Sequence, residues 1–504
     1  MSADDRPGDA EGEQTGKTSA ATTLVQLAAG RYVLGMSTDD EPYALPITGP
    51  RVARLLRGGK GSLRAEMAAA YFADTGRVAP QQALADALLV LEGMAASADP
   101  EPLHLRVAQQ EGALWLDLGD GTGQAVRITP GGWRVSDDCP VLFRRTALTG
   151  PLPEPERGGE LGELWHLLNV AERDRSLVLA WLVAALFPSL PHPVLAFRGE
   201  QGTAKSTTTR TTAGLLDPSP APIRKPPRDA DSWVTAAAGS WIVGVDNVST
   251  IPEWWSDSLC RAVTGDGDVR RQLYTDGDLV VFAFRRAIIL NGVDLGAVRD
   301  DLADRLLTVD LERIGDAQRR LDDEIAQAWR EAHPRILGAL LDLASGVLAA
   351  LPNVRLERLP RMADFARILA AVDAVLGTDG LTTYLGQAVE LAADAVTGDP
   401  VLAALTAAVT GEWVGTAAEL LAELELLARD EPASRRPRDW PKDPRALTGL
   451  LARRAPLLRR VGWTVEHLGR GGKAMTVRWR LAPPNREPRQ AAVGQASAGV
   501  RQAS

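Results

Sequence analysis

The segment FRGEQGTAKSTTTR, residues 197–210, comes close to a phosphate-binding loop without matching it fully. The usual pattern is a glycine, four residues, and then Gly-Lys-Ser or Gly-Lys-Thr. Gly199 opens the pattern and Lys205 and Ser206 close it, but Ala204 stands where the second glycine belongs. The segment therefore indicates either a nucleotide site with one departure or a glycine-containing turn.

The surroundings of this loop favour the nucleotide site. The apolar HPVLAF (192–197) before it is typical of a buried strand, and KSTTTRTTAGLL (205–216) after it is typical of a helix. A loop between a strand and a helix can bind phosphate through backbone amides and the positive end of the helix. The chain holds 50 arginines but only six lysines, so a lysine at this position is less expected by accident.

The parts of the loop have separate predicted tasks. Lys205 reaches the β- and γ-phosphates of ATP, and the hydroxyl of Ser206 is a ligand of Mg²⁺. Ala204 costs roughly 1–2 kcal/mol if its φ is positive, and nothing if its φ is negative. The predicted nucleotide-binding residues are Gly199, Glu200, Gln201, Gly202, Thr203, Ala204, Lys205, Ser206 and Thr207.

Two polar side chains follow apolar strands downstream of the loop. Asp246 lies at the end of SWIVGVDN (240–247), where a carboxylate can hold Mg²⁺ through water. Asn291 lies at the end of RAIILNG (286–292), where an amide could orient the attacking water. Either residue type at a strand end often only begins a turn. In this order behind a phosphate loop, the two residues favour a catalytic set.

Composition limits the class of protein. With 504 residues, 45% of them hydrophobic, the chain is long enough for about three or four domains. Cys139 and Cys260 lie far apart in the sequence, so we do not expect a cysteine-based metal site. A chain with so few cysteines is expected in a reducing compartment, the cytosol. The polar N-terminus has no signal-peptide core, and the apolar run at 177–187 is too short to span a bilayer. We expect a cytoplasmic protein without a membrane span.

The net charge of −9 is unevenly distributed. Between Ser434 and Gln490 there are fifteen lysines and arginines but only four acidic residues. Such a local excess of positive charge predicts a module that binds a polyanion.

Periodicity predicts the course of the chain around the loop. Residues 23–95 have a mostly helical pattern, and residues 103–147 alternate like strands, with GDGTGQ as a hairpin turn. Apolar strands that include DLVVFAF (278–284) then alternate with helical stretches, which indicates a parallel α/β sheet. From 316 to 430 the pattern is helical again.

Residues 199–311 resemble the compact ATPase core of superfamily 3 helicases within the AAA+ class, especially the phage and poxvirus-type primase–helicases. The resemblance rests on GEQGTAKS, WIVGVDN, RAVTGDGDVRRQLYTDGDLVVFAFRRAIILNGVD and DDLADRLLTVDL. It implies a basic DNA-facing hairpin with Arg270 and Arg271, a sensor at Asn291, and an arginine finger at Arg305 that reaches a neighbouring subunit's ATP. The alternative is that Arg270 and Arg271 are simply a solvated pair on the surface, and that the side chain of Arg305 only lies beside a strand.

The chain departs from this family's pattern at two positions. Ala204 replaces the loop glycine, and Asn247 follows Asp246 where many members carry a second acidic residue. An asparagine cannot take a proton from the attacking water. Hydrolysis is then slow, or Glu200 or Glu253 serves as the base.

The basic C-terminal segment has the order of a winged helix. In residues 443–481 a leucine-rich helix precedes two alternating strands, which GRGGK joins. Basic side chains on the helix and at the tip of the wing would neutralise DNA phosphates. The predicted contacts are Arg453, Arg454, Arg459, Arg460, Arg470 and Lys473. A basic helical cap that binds nothing is the alternative.

The N-terminal domain carries weaker signals. Asp117 and Asp120 in WLDLGDGT are the only acidic pair that could suggest primase chemistry, and Asp120 opens a turn. We expect a domain that docks DNA or a partner, with His104 in a structural role.

The sequence as a whole predicts an ATP-dependent DNA helicase or replication-initiator ATPase of a phage or mobile element. It would act as a hexameric ring with single-stranded DNA in its channel and duplex DNA on the winged helix. The alternatives are an initiator that uses ATP only as an assembly switch, and a metabolic P-loop kinase. The predicted parts are a disordered tail (1–22), an α+β N-terminal domain (23–150), an α/β P-loop AAA+ ATPase core (160–315), a helical domain (316–430), a basic winged-helix module (434–483) and a second disordered tail (484–504).

Overall fold

A computed structural model gives the fold of the chain. It describes residues 18–58, 62–271, 279–292, 300–430, 440–471 and 476–484. The α-helices of these residues are α1 (Ala20–Arg31), α2 (Leu63–Thr75), α3 (Gln81–Ala95), α4 (Arg175–Ala184), α5 (Lys205–Leu216), α6 (Ala230–Ala238), α7 (Glu253–Thr264), α8 (Asp300–Ala303), α9 (Asp322–Ala350), α10 (Ala363–Leu376), α11 (Gly380–Gly398), α12 (Pro400–Ala408), α13 (Ala417–Asp430) and α14 (Pro444–Arg460).

The strands are numbered in the same way. They are β1 (Tyr32–Ser37), β2 (Pro42–Pro46), β3 (Val52–Leu55), β4 (Pro100–Glu101), β5 (Leu103–His104), β6 (Val107–Gln110), β7 (Ala113–Asp117), β8 (Ala125–Thr129), β9 (Gly132–Ser136), β10 (Leu142–Arg144), β11 (Val194–Arg198), β12 (Ile223–Arg224), β13 (Ile242–Val245), β14 (Gly267–Arg271), β15 (Leu279–Ala283), β16 (Ala287–Asn291), β17 (Leu306–Asp310), β18 (Trp413–Thr416), β19 (Thr464–Gly471) and β20 (Thr476–Ala482).

The chain divides into two compact units. The first comprises residues up to 294 together with 304–383, and the second comprises 295–303 together with residues from 384 onward. The residues expected in an N-terminal domain and in an α/β core lie in the same compact unit.

A five-stranded parallel sheet lies in the first unit, in the order β12-β13-β16-β11-β17. The four strands other than β12 are short apolar runs that are buried almost throughout, which is typical of a parallel sheet covered on both faces. Because β16 lies between β11 and β13, the carboxyl ends of these three strands meet at one edge. The predicted α/β architecture is confirmed at this level.

The hydrophobic α4 and α9 contribute much of the buried surface of this unit. Within the described residues, Asp322–Asn353 is long and apolar enough to cross a membrane, but more than half of its apolar window is buried inside the structure. Helices α11 and α12 meet the same criteria only as a pair bent by 93°.

Two of the predicted elements are wrong. Within the predicted helical stretch 23–95, residues 32–55 instead form β1, β2 and β3, which pair in sequence as antiparallel strands. The DLVVFAF segment is a strand, β15, but it pairs with β14 in a separate antiparallel hairpin and not with the parallel sheet. In both cases the pairing partner, which the local pattern does not specify, decides the structure.

The second unit contains a helical layer and a three-stranded antiparallel sheet in the order β18-β20-β19. Leucines of α12, α13 and α14 share one core with Trp463 and Trp479. Residues expected in a helical domain (316–430) and in a basic module (434–483) therefore contribute to the same core.

A buried ion pair ties the first half of the first unit to its parallel sheet. The fully buried Arg106 donates from Nε to Asp217 Oδ1 (2.9 Å) and from its other nitrogens to the carbonyls of Asp117 and Gly150. Asp217 Oδ2 also accepts from the backbone amides of Trp241 and Ile242. The three guanidinium nitrogens of Arg106 and both carboxylate oxygens of Asp217 therefore all hold together segments that are separated in the sequence.

We predict that Arg106→Ala destabilises the protein by roughly 3–5 kcal/mol, because it leaves the Asp217 carboxylate buried without its cation. Thermal unfolding followed by circular dichroism measures the effect. The exposed Arg77 makes the same charge change without burial, so Arg77→Ala is the matched control. Equal unfolding midpoints for the two variants would show that the buried pair is not important for stability.

Candidate nucleotide site

Three residues of the loop between β11 and α5 have positive φ, and the first of them is Gly199 with φ +156°. Gly202 has φ +85°, and Ala204, the residue that precedes α5, has φ 60° and ψ 32°. Ala204 therefore occupies a conformation that favours glycine, and it carries the strain that the sequence left open.

Gly199 begins the loop at a point of close approach. A side-chain carbon at this position would lie 2.7 Å from Thr203 Oγ1 and 3.3 Å from the carbonyl oxygen of Leu311. The Thr203 hydroxyl also donates to the carbonyl of Glu200, which closes the loop on itself. The absence of a side chain at Gly199 is thus what allows the loop to curl.

Lys205 places its ammonium group at the start of the loop. Its Nζ donates to the carbonyl oxygens of Gly199 (2.7 Å) and Glu200 (2.6 Å). The positive charge therefore lies on the concave side of the loop, where a phosphate group would be attracted to it.

Ser206 and Asp246 meet directly. The Ser206 hydroxyl donates to Asp246 Oδ1 over 2.8 Å, and the Asp246 amide donates to the carbonyl of Arg224 on the neighbouring strand. Hydroxyl and carboxylate oxygens are suitable ligands for Mg²⁺. Among the described residues no group of three or more His, Cys, Asp or Glu side chains could hold a metal ion. A cation here would therefore need oxygen ligands from a nucleotide as well.

Asn291 connects the end of β16 to both sides of the site. Its side-chain oxygen accepts from the Asn247 amide (2.9 Å), and its Nδ2 donates to Thr209 Oγ1 (2.9 Å). The side chain is only 1% exposed. In this arrangement it fixes the positions of Asn247 and Thr209, and its role as a water-orienting sensor stays a prediction.

Asn247 lies at the rim of the site in a left-handed conformation, with φ 56°. It is exposed, as are Glu200 and Glu253, the two candidates for an alternative base. Because its side chain is an amide, it can position water but cannot accept a proton from it.

The loop between β11 and α5 surrounds a pocket of about 620 Å³, which Asp246 and Asn291 do not line directly. This volume lies within the range of small-molecule sites, roughly 300–1,000 Å³. The lining includes every predicted loop residue except Glu200, together with Asn247. It also includes Arg198 and Gly292, which the motif does not contain. The sequence could have indicated both residues by position, because Arg198 directly precedes the loop and Gly292 directly follows the end of β16.

Arg305 lies at the other edge of the sheet. Its carbonyl accepts from the amide of Val194, the first residue of β11, whereas the loop follows the last residue of that strand. A strand of five residues spans about 16 Å. Within one chain, this arginine is thus remote from the pocket, and its role as an arginine finger stays a prediction.

The predicted DNA contacts differ in what surrounds them. Arg270 and Arg271 lie on β14 of the antiparallel hairpin, opposite Val280 and Leu279. Arg453, Arg459 and Arg460 are exposed on α14. Arg454 pairs with Asp399 (3.4 Å), and Arg459 donates to the carbonyl of Val465. The side chain of Arg470 and all of Lys473 lie outside the described residues.

The acidic pair of the N-terminal region is part of the structure. Asp117 is buried, and both of its carboxylate oxygens accept hydrogen bonds from Arg145, which also donates to the carbonyl of Asp120. His104 is half-buried beside Phe143, and burial lowers the pKa of its imidazole. Asp117 is thus held in an ion pair that the sequence did not predict, and His104 has the surroundings expected of a structural residue.

Two family models of replication proteins match parts of this chain. Residues 161–394 match the family model of the actinomycete integrative conjugative element replication protein. Residues 399–496 match the model of the RepA C-terminal domain of the same elements. Over about two thirds of its length, the chain is similar to replication proteins of mobile elements. The sequence predicted a protein of either a phage or a mobile element. These matches support the mobile element and a role in DNA replication.

The similarity of this chain to solved structures is weaker than its similarity to the family models. The C-terminal region of NrS-1 is 13% identical, with 92% of this chain and 99% of that chain covered and a TM-score of 0.39. The active helicase Cch of SCCmec type IV is 10% identical, with 90% and 93% covered and a TM-score of 0.42. No curated protein sequence matches this chain.

We predict that Ala204→Gly does not destabilise the protein and stabilises it by up to about 1.5 kcal/mol. Relief of the left-handed strain, roughly 1–2 kcal/mol, outweighs the added freedom of glycine in the unfolded chain, about 0.5–1 kcal/mol. Urea unfolding measures the difference.

Ala69→Gly is the control for this substitution. Ala69 is exposed on α2, where right-handed helical geometry makes glycine unfavourable by about 1 kcal/mol. A loss of stability at position 204 as large as that at position 69 would contradict the strain that we assign to Ala204.

Proposed function

We propose that the chain is an ATP-dependent replication protein of an integrative conjugative element, with a P-loop AAA+ core of the superfamily 3 type that unwinds DNA. The observation that carries the proposal is the 2.8 Å hydrogen bond from Ser206 to Asp246, beside the ammonium group of Lys205. This combination of a lysine, a hydroxyl and a carboxylate at the open edge of a parallel sheet is suited to a nucleoside triphosphate with Mg²⁺.

The residues of the pocket fit this ligand. The left-handed residues Gly202 and Ala204 curl the loop, so that backbone amides before α5 can face a phosphate. Lys205 would bind the β- and γ-phosphates, and Ser206 and Asp246 would hold Mg²⁺. The metal ion would offset the negative charge that develops during phosphoryl transfer. Asn247 would position water, and Glu200 or Glu253 would have to supply a base.

A ring assembly is the arrangement in which Arg305 could act. It lies at the edge of the sheet opposite to the pocket of its own chain, so it could reach a nucleotide only on a neighbouring subunit. We therefore propose a hexamer with ATP at the subunit interfaces. The β14–β15 hairpin, with Arg270 and Arg271, would contact single-stranded DNA in the channel.

The second unit supports a contact with duplex DNA. Its order of α12, β18, α13, α14, β19 and β20, with a hairpin after the basic helix, corresponds to the winged-helix plan. Arg453 on the exposed face of α14 is a described side chain that would neutralise a phosphate. Arg454, Arg459 and Arg460, which all have interaction partners, would contribute less.

One observation favours a second function, an initiator that uses ATP as an assembly switch without unwinding. Asn247 occupies the position next to Asp246 and carries no carboxylate. Such a site could bind ATP tightly and hydrolyse it slowly. In both functions the protein would act on DNA in the cytoplasm, with no role for the membrane.

We predict that Lys205→Ala abolishes ATP binding, because it removes the main cation of the loop, and that duplex or single-stranded DNA stimulates hydrolysis by the wild-type protein. Arg305→Ala should bind ATP normally but lose turnover, since its guanidinium would act on the neighbouring subunit. Steady-state ATPase rates with and without DNA, and binding of a fluorescent ATP analogue, measure these effects.

Each outcome of this experiment has a definite meaning. Turnover that DNA accelerates supports the helicase. ATP binding with slow turnover that DNA does not change supports the switch. Wild-type rates in Arg305→Ala would remove the main support for a ring. The nucleotide site itself would be wrong if Lys205→Ala bound ATP as the wild type does.

We also predict that Arg453→Ala weakens binding to duplex DNA and lowers the dependence of log K on log salt by about one, as expected for one lost phosphate contact. Fluorescence anisotropy at several salt concentrations measures the slope. Arg77→Ala, with the same charge change in the other unit, should leave the slope unchanged. An unchanged slope in Arg453→Ala would exclude this face of α14 as a DNA contact.

A further inference from the structure

An arginine outside the motif lines the pocket. Arg198 is the last residue of β11 and directly precedes Gly199. Its side chain is 29% exposed, and it contributes to the lining of the 620 Å³ pocket together with the loop. Neither the phosphate-loop pattern nor the resemblance to helicases assigns it a role.

The neighbouring strand fixes the orientation of this side chain. Arg198 lies opposite Asp310 in the parallel register of β11 and β17. Its Nε donates to Asp310 Oδ1 over 2.9 Å, and its Nη2 lies 2.8 Å from the same oxygen in the ion pair. Asp310 Oδ2 accepts from Arg173 over 2.8 Å. Among the hydrogen bonds of the described residues, none uses Arg198 Nη1. One edge of the guanidinium is therefore held while the remaining nitrogen can serve a ligand.

The position of Lys205 shows which part of a nucleotide would lie near Arg198. The Lys205 ammonium is 2.7 Å from the carbonyl oxygen of Gly199, the residue next to Arg198. The guanidinium of Arg198 and the ammonium group of Lys205 therefore both lie near the first residue of the loop, Gly199. A lysine in this position reaches the β- and γ-phosphates, which carry more negative charge than one ammonium group can neutralise.

Structural stability alone does not account for the ion pair. Arg198 and Asp310 are 29% and 36% exposed, and ion pairs with this much exposure contribute little to folding. An arginine held on one edge by a carboxylate and open on the other is well suited to phosphate, because its planar fork keeps its charge and orientation.

We propose that Arg198 binds the phosphate tail of the nucleotide within its own chain, and that Asp310 positions its guanidinium. The inference rests on the proposed nucleotide site and adds a second cation to it. It also separates two arginine functions: Arg198 acts on the nucleotide of its own subunit, whereas Arg305 would act on that of a neighbour.

Titration of the full-length protein with a fluorescent ATP analogue tests the proposal. Arg198→Ala should weaken binding by about tenfold or more, the usual effect of losing a hydrogen bond between charged groups. Arg198→Lys should recover part of the affinity, because the charge remains but the fork is lost. Arg77→Ala should bind as the wild type does. Arg198→Gln replaces Arg198→Ala if the latter does not fold.

The role of Asp310 needs a double-variant comparison. Asp310→Asn should weaken ATP binding in the wild-type background and have no further effect in Arg198→Ala, since it acts through that arginine. A purely structural role would instead lower affinity and the thermal midpoint in both backgrounds. That result would overturn the positioning role.

The outcomes also separate this inference from the proposed function. If Lys205→Ala loses ATP binding while Arg198→Ala and Arg198→Gln bind as tightly as the wild type, Arg198 is not a ligand and the nucleotide site stands. If the wild-type protein binds no ATP, the nucleotide site and the role of Arg198 both fail.

Discussion

The geometry of the site depends on the buried side chain of Asn291. Its oxygen accepts from the Asn247 amide, and its nitrogen donates to Thr209, whose hydroxyl in turn donates to the carbonyl of Lys205. One amide at the end of β16 therefore sets the distance between the end of β13 and the start of α5. The strand order makes this possible, because β16 lies between the strand that leads to the loop and the strand that leads to Asp246. Loss of either hydrogen bond would leave a buried polar group unpaired.

Strain within the site is found at residues other than glycine. Ala204 and Asn247 both have positive φ, and both line the pocket. Asparagine tolerates this region better than alanine, because its side chain can hydrogen-bond locally. Gly292, with φ +80°, faces the backbone of Asn247, where a side-chain carbon would be 3.2 Å from its Cα. Such conformations persist only where the surrounding contacts enforce them, and they commonly occur at functional sites.

The sequence could predict the parallel sheet and the meeting of Ser206 with Asp246, because strand ends in βα units share one edge regardless of details elsewhere. It could not predict that residues 32–55 pair as strands, since their short apolar runs alternate no more clearly than those of the helices beside them. Nor could it assign β15 to a hairpin, because an apolar run does not specify its partner strand. Arg198 was missed for a related reason. Its importance comes from Asp310, which is adjacent only across the sheet.

The placement of cations suggests how binding and turnover could be controlled separately. Lys205 and Arg198 lie at the carboxyl edge of the sheet with the pocket, whereas Arg305 lies at the amino edge. If the first two hold the phosphate tail, a single chain can bind nucleotide before it meets a neighbour. The reaction would then await the arginine of the next subunit. Because Asn247 supplies no carboxylate, a bound nucleotide would persist during this interval. Assembly on DNA, and not nucleotide capture, would thus be the controlled step.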